Sequence, residues 1–87
     1  MEIHISRHTL LRAAKRGVTL EEIEDVVASG SPVPAGLGRS AREKVYLFRC
    51  SWKGRYYEQK KVKVVFVMEK DVIWTVTVIS HYGKWEN

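Results

Sequence analysis

Imidazoles and cations, with few carboxylates beside them, are the chemistry this sequence offers. His8, Arg12, Lys15 and Arg16 crowd one early segment, Lys60, Lys61 and Lys63 another, and His81, Tyr82 and Lys84 a third near the end. One reaction suits that inventory: cleavage of RNA by its own 2′-hydroxyl. It needs a base for the hydroxyl proton, fixed positive charge for the phosphorane-like transition state and an acid for the leaving oxygen, without metal or cofactor. His8 and His81, from distant elements, can share the acid and base work in either order. Arg12, Arg16 and Lys61 then hold phosphate, and Tyr82 orients the substrate or shares the proton transfer. Lys15, Lys60, Lys63 and Lys84 widen the basic surface for RNA.

Other chemistries fit less well. The sequence has no hydrolase elbow, P-loop, dinucleotide fingerprint or zinc-finger spacing. His4, His8, Cys50 and His81 form no short ligand pair, so no metal site is expected. Glu43, Glu58 and Glu69 are the only acids in the sheet region before its last turn, and none forms the pair a two-metal nuclease wants. Each residue also has a plainer role. A helical histidine often decorates a surface, strand lysines guard edges, and Thr75 and Thr77 are good strand formers. Trp52, Tyr56, Tyr57, Trp74, Tyr82 and Trp85 can stack on bases or fill a core.

The elements that must position these groups read clearly. Glu2 to Ile5 alternates like a short strand. Ser6 can cap a helix running to Arg16, with Gly17 after its end. Leu10, Leu11, Ala13 and Ala14 fall on one side of it and His8, Arg12, Lys15 and Arg16 on the other. Thr19 and Glu22 form a capping box for a second helix, flanked by Val18 and Ile23 as a staple. Its apolar stripe is Leu20, Ile23, Val26 and Val27, and Gly30 ends it. Ser31 to Arg42, rich in Pro, Gly and Ala, reads as a linker whose Arg39 and Arg42 could close over a ligand. Three strands follow: Lys44 to Trp52, about Tyr57 to Met68, and Val72 to Ser80. Lys53-Gly54 and Glu69-Lys70-Asp71 turn between them.

The pattern predicts one α+β domain over residues 1–87, with two N-terminal helices packed on one face of a three- to four-stranded antiparallel sheet. The opposite face is then left free. The chain's 87 residues, 45% hydrophobic and 29% charged, suit a single domain with a modest core. With one cysteine, no internal disulfide forms. No signal peptide or apolar span is evident, so a cytoplasmic protein with no membrane partner is expected. The net charge of +5 is uneven: residues 1–30 carry four Lys/Arg against five Asp/Glu, and residues 31–87 eleven against five. Separated patches suit a polyanion on one side and a cationic partner on another.

Ser6-Arg7-His8, Arg12, Arg16-Gly17-Val18-Thr19 and Glu22-Ile23 resemble the opening of the family catalogued as domain of unknown function 4258. Lys60-Lys61-Val62-Lys63-Val64-Val65 and Ile73 to Ile79 resemble its closing strands. The resemblance implies a RelE-like, barnase-related fold, akin to toxins of toxin–antitoxin pairs such as BrnT-like proteins. It implies RNA cleavage, free or on the ribosome, inhibition of translation, and a cognate antitoxin. By position, His8 and Arg16 match the family's helix-one histidine and the arginine before its glycine, and Thr77 its last-strand threonine. The expected function is therefore a metal-free endoribonuclease of toxin–antitoxin type. The competing expectation is a non-catalytic basic module of the same fold that binds RNA or protein.

Overall fold

A computed structural model describes residues 2–85. The order along the chain is β1 (Glu2–His4), α1 (Arg7–Arg16), α2 (Leu20–Ser29), β2 (Ser31–Val33), β3 (Ser40–Trp52), β4 (Arg55–Glu69) and β5 (Val72–Gly83). The helices begin where the capping residues put them. Ser6 Oγ accepts from the Thr9 amide, and Thr19 and Glu22 bond each other's backbone amides reciprocally. Gly17, at φ +69°, closes α1 in the left-handed conformation a glycine adopts freely.

The five strands form one mixed sheet in the order β1-β5-β4-β3-β2. The α+β class and the two N-terminal helices agree with the sequence reading, but the sheet is larger and not wholly antiparallel. β1 pairs parallel with β5, Ile3 opposite Ile73. A second addition, β2, lies in the segment read as a linker and pairs antiparallel with Ala41 to Glu43. Its Pro32 is tolerated because β2 is the outermost strand, where one side of the backbone needs no donor. β3 accordingly starts at Ser40 instead of Lys44, and β5 continues past Ser80 to Gly83. The two hairpin turns have positive φ at both central residues, Lys53 and Gly54, then Lys70 and Asp71, the geometry that matches strand twist.

Both helices lie on one face. α2 buries Ile23, Val26 and Val27 against Val62, Val64 and Phe66 of β4, with Ile73 and Val78 of β5 completing the core. α1 is seated differently from its apolar pattern. It buries Thr9 and Ala13, while Leu10 and Leu11 are 43% and 55% exposed. The reason is polar: the Ser6 amide donates to Thr75 Oγ1 at one end of α1, and Arg16 is bound to β5 at the other. These two anchors fix which side of the helix meets the sheet. Among the described residues no helix is long and apolar enough to cross a membrane.

Candidate nucleic-acid interface

Strand alternation sorts the candidate residues into two groups. Successive side chains of a strand point to opposite faces. On β4, Lys60, Val62, Val64 and Phe66 face the helices, so Lys61, Lys63, Val65 and Val67 face away. On β5, a bulge changes the count. Thr75 pairs with Phe66 and Thr77 with Val65, leaving Val76 as the extra residue. Beyond it Val78, Ser80 and Tyr82 face the helices, and Thr77, Ile79 and His81 face away.

The helix-side group forms a seam under the end of α1. Arg16 Nη1 donates to the Val78 carbonyl at 2.9 Å. The Arg16 carbonyl accepts from Ser80 Oγ at 2.9 Å and from the Tyr82 hydroxyl at 2.6 Å. Lys60, 5% exposed, donates to the Gly17 carbonyl at 2.9 Å and pairs with Glu22 at 2.8 Å. These contacts satisfy carbonyls that every helix leaves open at its C-terminus. Trp52 stacks on the Tyr82 ring at 5.0 Å, and burial pushes the Tyr82 phenol pKa up. Arg16 and Tyr82, expected at a reaction centre, and Lys60, expected on the RNA-binding surface, thus each use a polar side-chain atom to hold the helix to the sheet.

The helix-free face carries the second group. Lys61 lies directly opposite His81, and Lys63 opposite Ile79. From the other side, Glu43 pairs with Lys63 and Val45 with Lys61. Directly opposed Cβ atoms stand about 5 Å apart. The face therefore holds an imidazole, two ammonium groups and a carboxylate on adjoining rows, with Thr77 one row further along. Glu43 and His81 flank the lysines diagonally, their Cα atoms roughly 12 Å apart by strand spacing and rise. The Trp85 ring lies 4.6 Å from Lys61 Nζ, and a hollow lined by Glu43, Val45, Lys61 and Trp85 opens beside it.

His8, Arg12 and Lys15 stand on α1 in the helical layer, with His8 and Lys15 exposed. The sheet brings Lys61, Lys63, Thr77 and His81 onto one face and leaves His8 in the layer on the other. The two-histidine arrangement expected from the sequence is not assembled. Lys84 is exposed just past β5, between His81 and Trp85 in the chain.

Glu43 and Trp85 were missed as partners of this group. Counting outward from the Lys53-Gly54 turn, where Trp52 meets Arg55, would put Glu43 opposite Val64; the irregularity between Leu47 and Cys50 makes it Lys63. Counting from Glu69 opposite Val72 would likewise put His81 opposite Lys60, and the Val76 bulge makes it Lys61. The available signal was the Lys61-Val62-Lys63-Val64 alternation of β4, which declares which face is core.

A family model described as a domain of unknown function, DUF4258, matches residues 5–80, which include both helices, β2 to β4 and all of β5 up to Ser80. The chain belongs to the DUF4258 family. No curated protein and no solved structure matches it. Within this DUF4258 chain the matched region covers every residue of the seam except Tyr82, and stops just before His81, Lys84 and Trp85.

Proposed function

We propose that this DUF4258 domain is a metal-independent endoribonuclease whose reacting surface is the helix-free face of the sheet. The observation that carries the reading is the cross-strand pair Lys61–His81, with Glu43 and Lys63 on the next row. An imidazole and a carboxylate on either side of two fixed cations supply what 2′-hydroxyl attack requires. The 2′-oxygen bonds to phosphorus and the bond from phosphorus to the 5′-oxygen breaks, leaving a 2′,3′-cyclic phosphate and a 5′-hydroxyl. Of Glu43 and His81, one takes the 2′-hydroxyl proton and the other gives a proton to the 5′-oxygen. Lys61 and Lys63 hold the non-bridging oxygens, whose charge grows in the transition state, and Thr77 adds a hydroxyl at the edge of the group.

The toxin reading implied by the sequence resemblance follows from this activity. Unspecific cutting of RNA would inhibit translation, and a protein antitoxin would have to cover the same face. A mixed RNA pool incubated in excess EDTA, with end-group analysis for 2′,3′-cyclic phosphate, tests the proposal. Wild-type chain should cut, and Lys61→Ala and His81→Ala should not. A chain that binds RNA but never cuts it, with or without ribosomes, sinks the nuclease. The second reading, a binding module on the same face, would then stand, favoured by the exposed Trp74 at one end of that face and the half-buried Trp85 beside Lys61.

A further inference from the structure

We infer that the helix-free face binds a single-stranded segment of RNA about five nucleotides long, gripped at its two ends by Trp74 and Trp85. The inference rests on the RNA reading above and names the form of the substrate. Six aromatic residues could have served as stacking platforms on sequence alone, and the fold divides them. Trp52 and Tyr82 stack on each other in the seam, with Tyr57 and Phe48 packed against Tyr82. Trp74 is different: it is 44% exposed, and it pairs with Val67, which puts it on the same face as Lys61, Lys63 and His81.

Both tryptophans on this face are backed by a polar partner that fixes the ring. His4, its Cα partner across β1 and β5, stacks on Trp74 with centroids 4.4 Å apart and planes at 17°. Lys61 Nζ lies over the Trp85 ring, and the Trp85 amide donates to Gln59 Oε1, tethering the chain past β5 to β4. A ring held on one side and half open on the other is a platform for a base, since every base has a π-face. Between the platforms run Thr77, Lys63, Lys61 and His81, the groups that would follow a phosphate backbone.

The spacing sets the length. Trp74 lies beside Val67 and Trp85 is tied to Gln59, so the platforms are eight residues apart along β4, roughly 26 Å at a strand's rise. An extended single strand covers that distance with about five nucleotides, at the lower end of the sites seen on such surfaces. A duplex cannot use either platform, because its bases are already stacked and its A-form grooves hide their faces.

The test uses the full 87-residue chain and fluorescently labelled 2′-O-methyl oligouridylates, whose blocked 2′-oxygens prevent cleavage during titration. Affinity should climb with length from two nucleotides to about five or six and then level off. Stacking typically contributes ~1–3 kcal/mol per base, which converts to roughly 5- to 150-fold. Trp74→Ala and Trp85→Ala should each weaken an octamer by a factor in that range, with Phe at either position restoring most of it. A trimer, too short to span, should respond to Trp85→Ala beside the lysines and not to Trp74→Ala. An eight-base-pair duplex should bind more weakly than the octamer. Affinity that stops rising at three nucleotides, an octamer indifferent to Trp74→Ala, or a duplex bound equally well overturns the inference while leaving the nuclease reading intact. No binding of any oligonucleotide at low salt overturns both.

Discussion

Lys60 and Lys61 are neighbours in the chain and opposites in the fold. Lys60 is sunk beneath the helices, its ammonium shared between the Gly17 carbonyl and Glu22. Lys61 lies on the other face against Trp85 and across from His81. Tyr82 and His81 repeat the contrast on β5: the phenol is bound to the Arg16 carbonyl, and the imidazole is exposed. The same residue types do two kinds of work, and a strand's period of two decides which. Among the described residues no buried side-chain nitrogen or oxygen lacks a partner, and the buried ammonium of Lys60 in the seam has two. A group with every bond satisfied is fitted to hold structure, and a group with bonding capacity to spare is fitted to hold a ligand.

The sharpest way to break this contrast is through the two histidines. His81→Ala is expected to lower RNA cleavage by ~10²–10⁴-fold, the usual contribution of a general acid or base. His8→Ala, in the helical layer, is expected to stay within a few-fold of wild type. Cleavage rates of both variants on one RNA decide it. Equal losses, or a larger loss from His8→Ala, would move the reacting surface to α1 and end the division between seam and face.

The lysines test the same division through stability. Lys60→Met leaves the Gly17 carbonyl without its ammonium and Glu22 with the Thr19 amide but no counter-charge, at a cost of about 3 kcal/mol in urea unfolding. Lys61→Met, at a half-buried position whose ammonium lies over the Trp85 ring, should cost no more than ~1 kcal/mol, and should lose RNA affinity instead. Gly17→Ala is the next step down. Its Cβ would lie 2.6 Å from the Tyr82 hydroxyl oxygen and 2.7 Å from a Trp52 ring carbon, at φ +69°. The left-handed backbone and the collision together should cost about 2 kcal/mol. Tyr82→Phe, which removes one of two bonds to the Arg16 carbonyl, should cost about 1 kcal/mol.

Much of this was legible in the sequence, because the deciding interactions were local. Ser6, Gly17 and the Thr19–Glu22 box set the helices by contacts within a turn, and Lys53-Gly54 marked its hairpin by backbone preference alone. What was not legible depended on distant parts of the chain. β1 has too few residues to announce a partner, and its parallel pairing exists only once α1 lies over β5. β2 was obscured by Pro32 and the glycines after it. α1's apolar pattern misled because polar anchors at Thr75 and Val78, far along the chain, fixed its rotation. The site suffered most from two register irregularities, each of which moves a residue to a new partner. Composition identified the cationic and imidazole groups, but the bulges determined which of them meet.

The smallest expected effect concerns a third contact of the helical layer. Asp25 on α2 accepts from Lys44 Nζ at 2.8 Å and from the Tyr46 hydroxyl at 2.5 Å, joining α2 to β3. Those bonds, Lys44's first, then Tyr46's and Ser29's, hold its carboxyl pKa down at about 2 from 3.8. Burial, then the bond to Asp25, pushes the Tyr46 phenol up. A carboxylate with a depressed folded pKa binds its proton more readily when unfolded, so its stabilisation is complete above pH ~4 to 5. It fades as pH falls through about 2. Both partners in the ion pair are near 40% exposed, at 37% and 41%, so solvent screens the effect and keeps it modest. Urea melts of wild type and Asp25→Asn at pH 6 and pH 2.5 isolate it, since the two chains differ only at this carboxylate. Wild type should lose more stability than the variant over that interval. Parallel losses would mean that α2 is held to β3 by its apolar stripe alone, and that the bonded side of the molecule ends at the seam beneath α1.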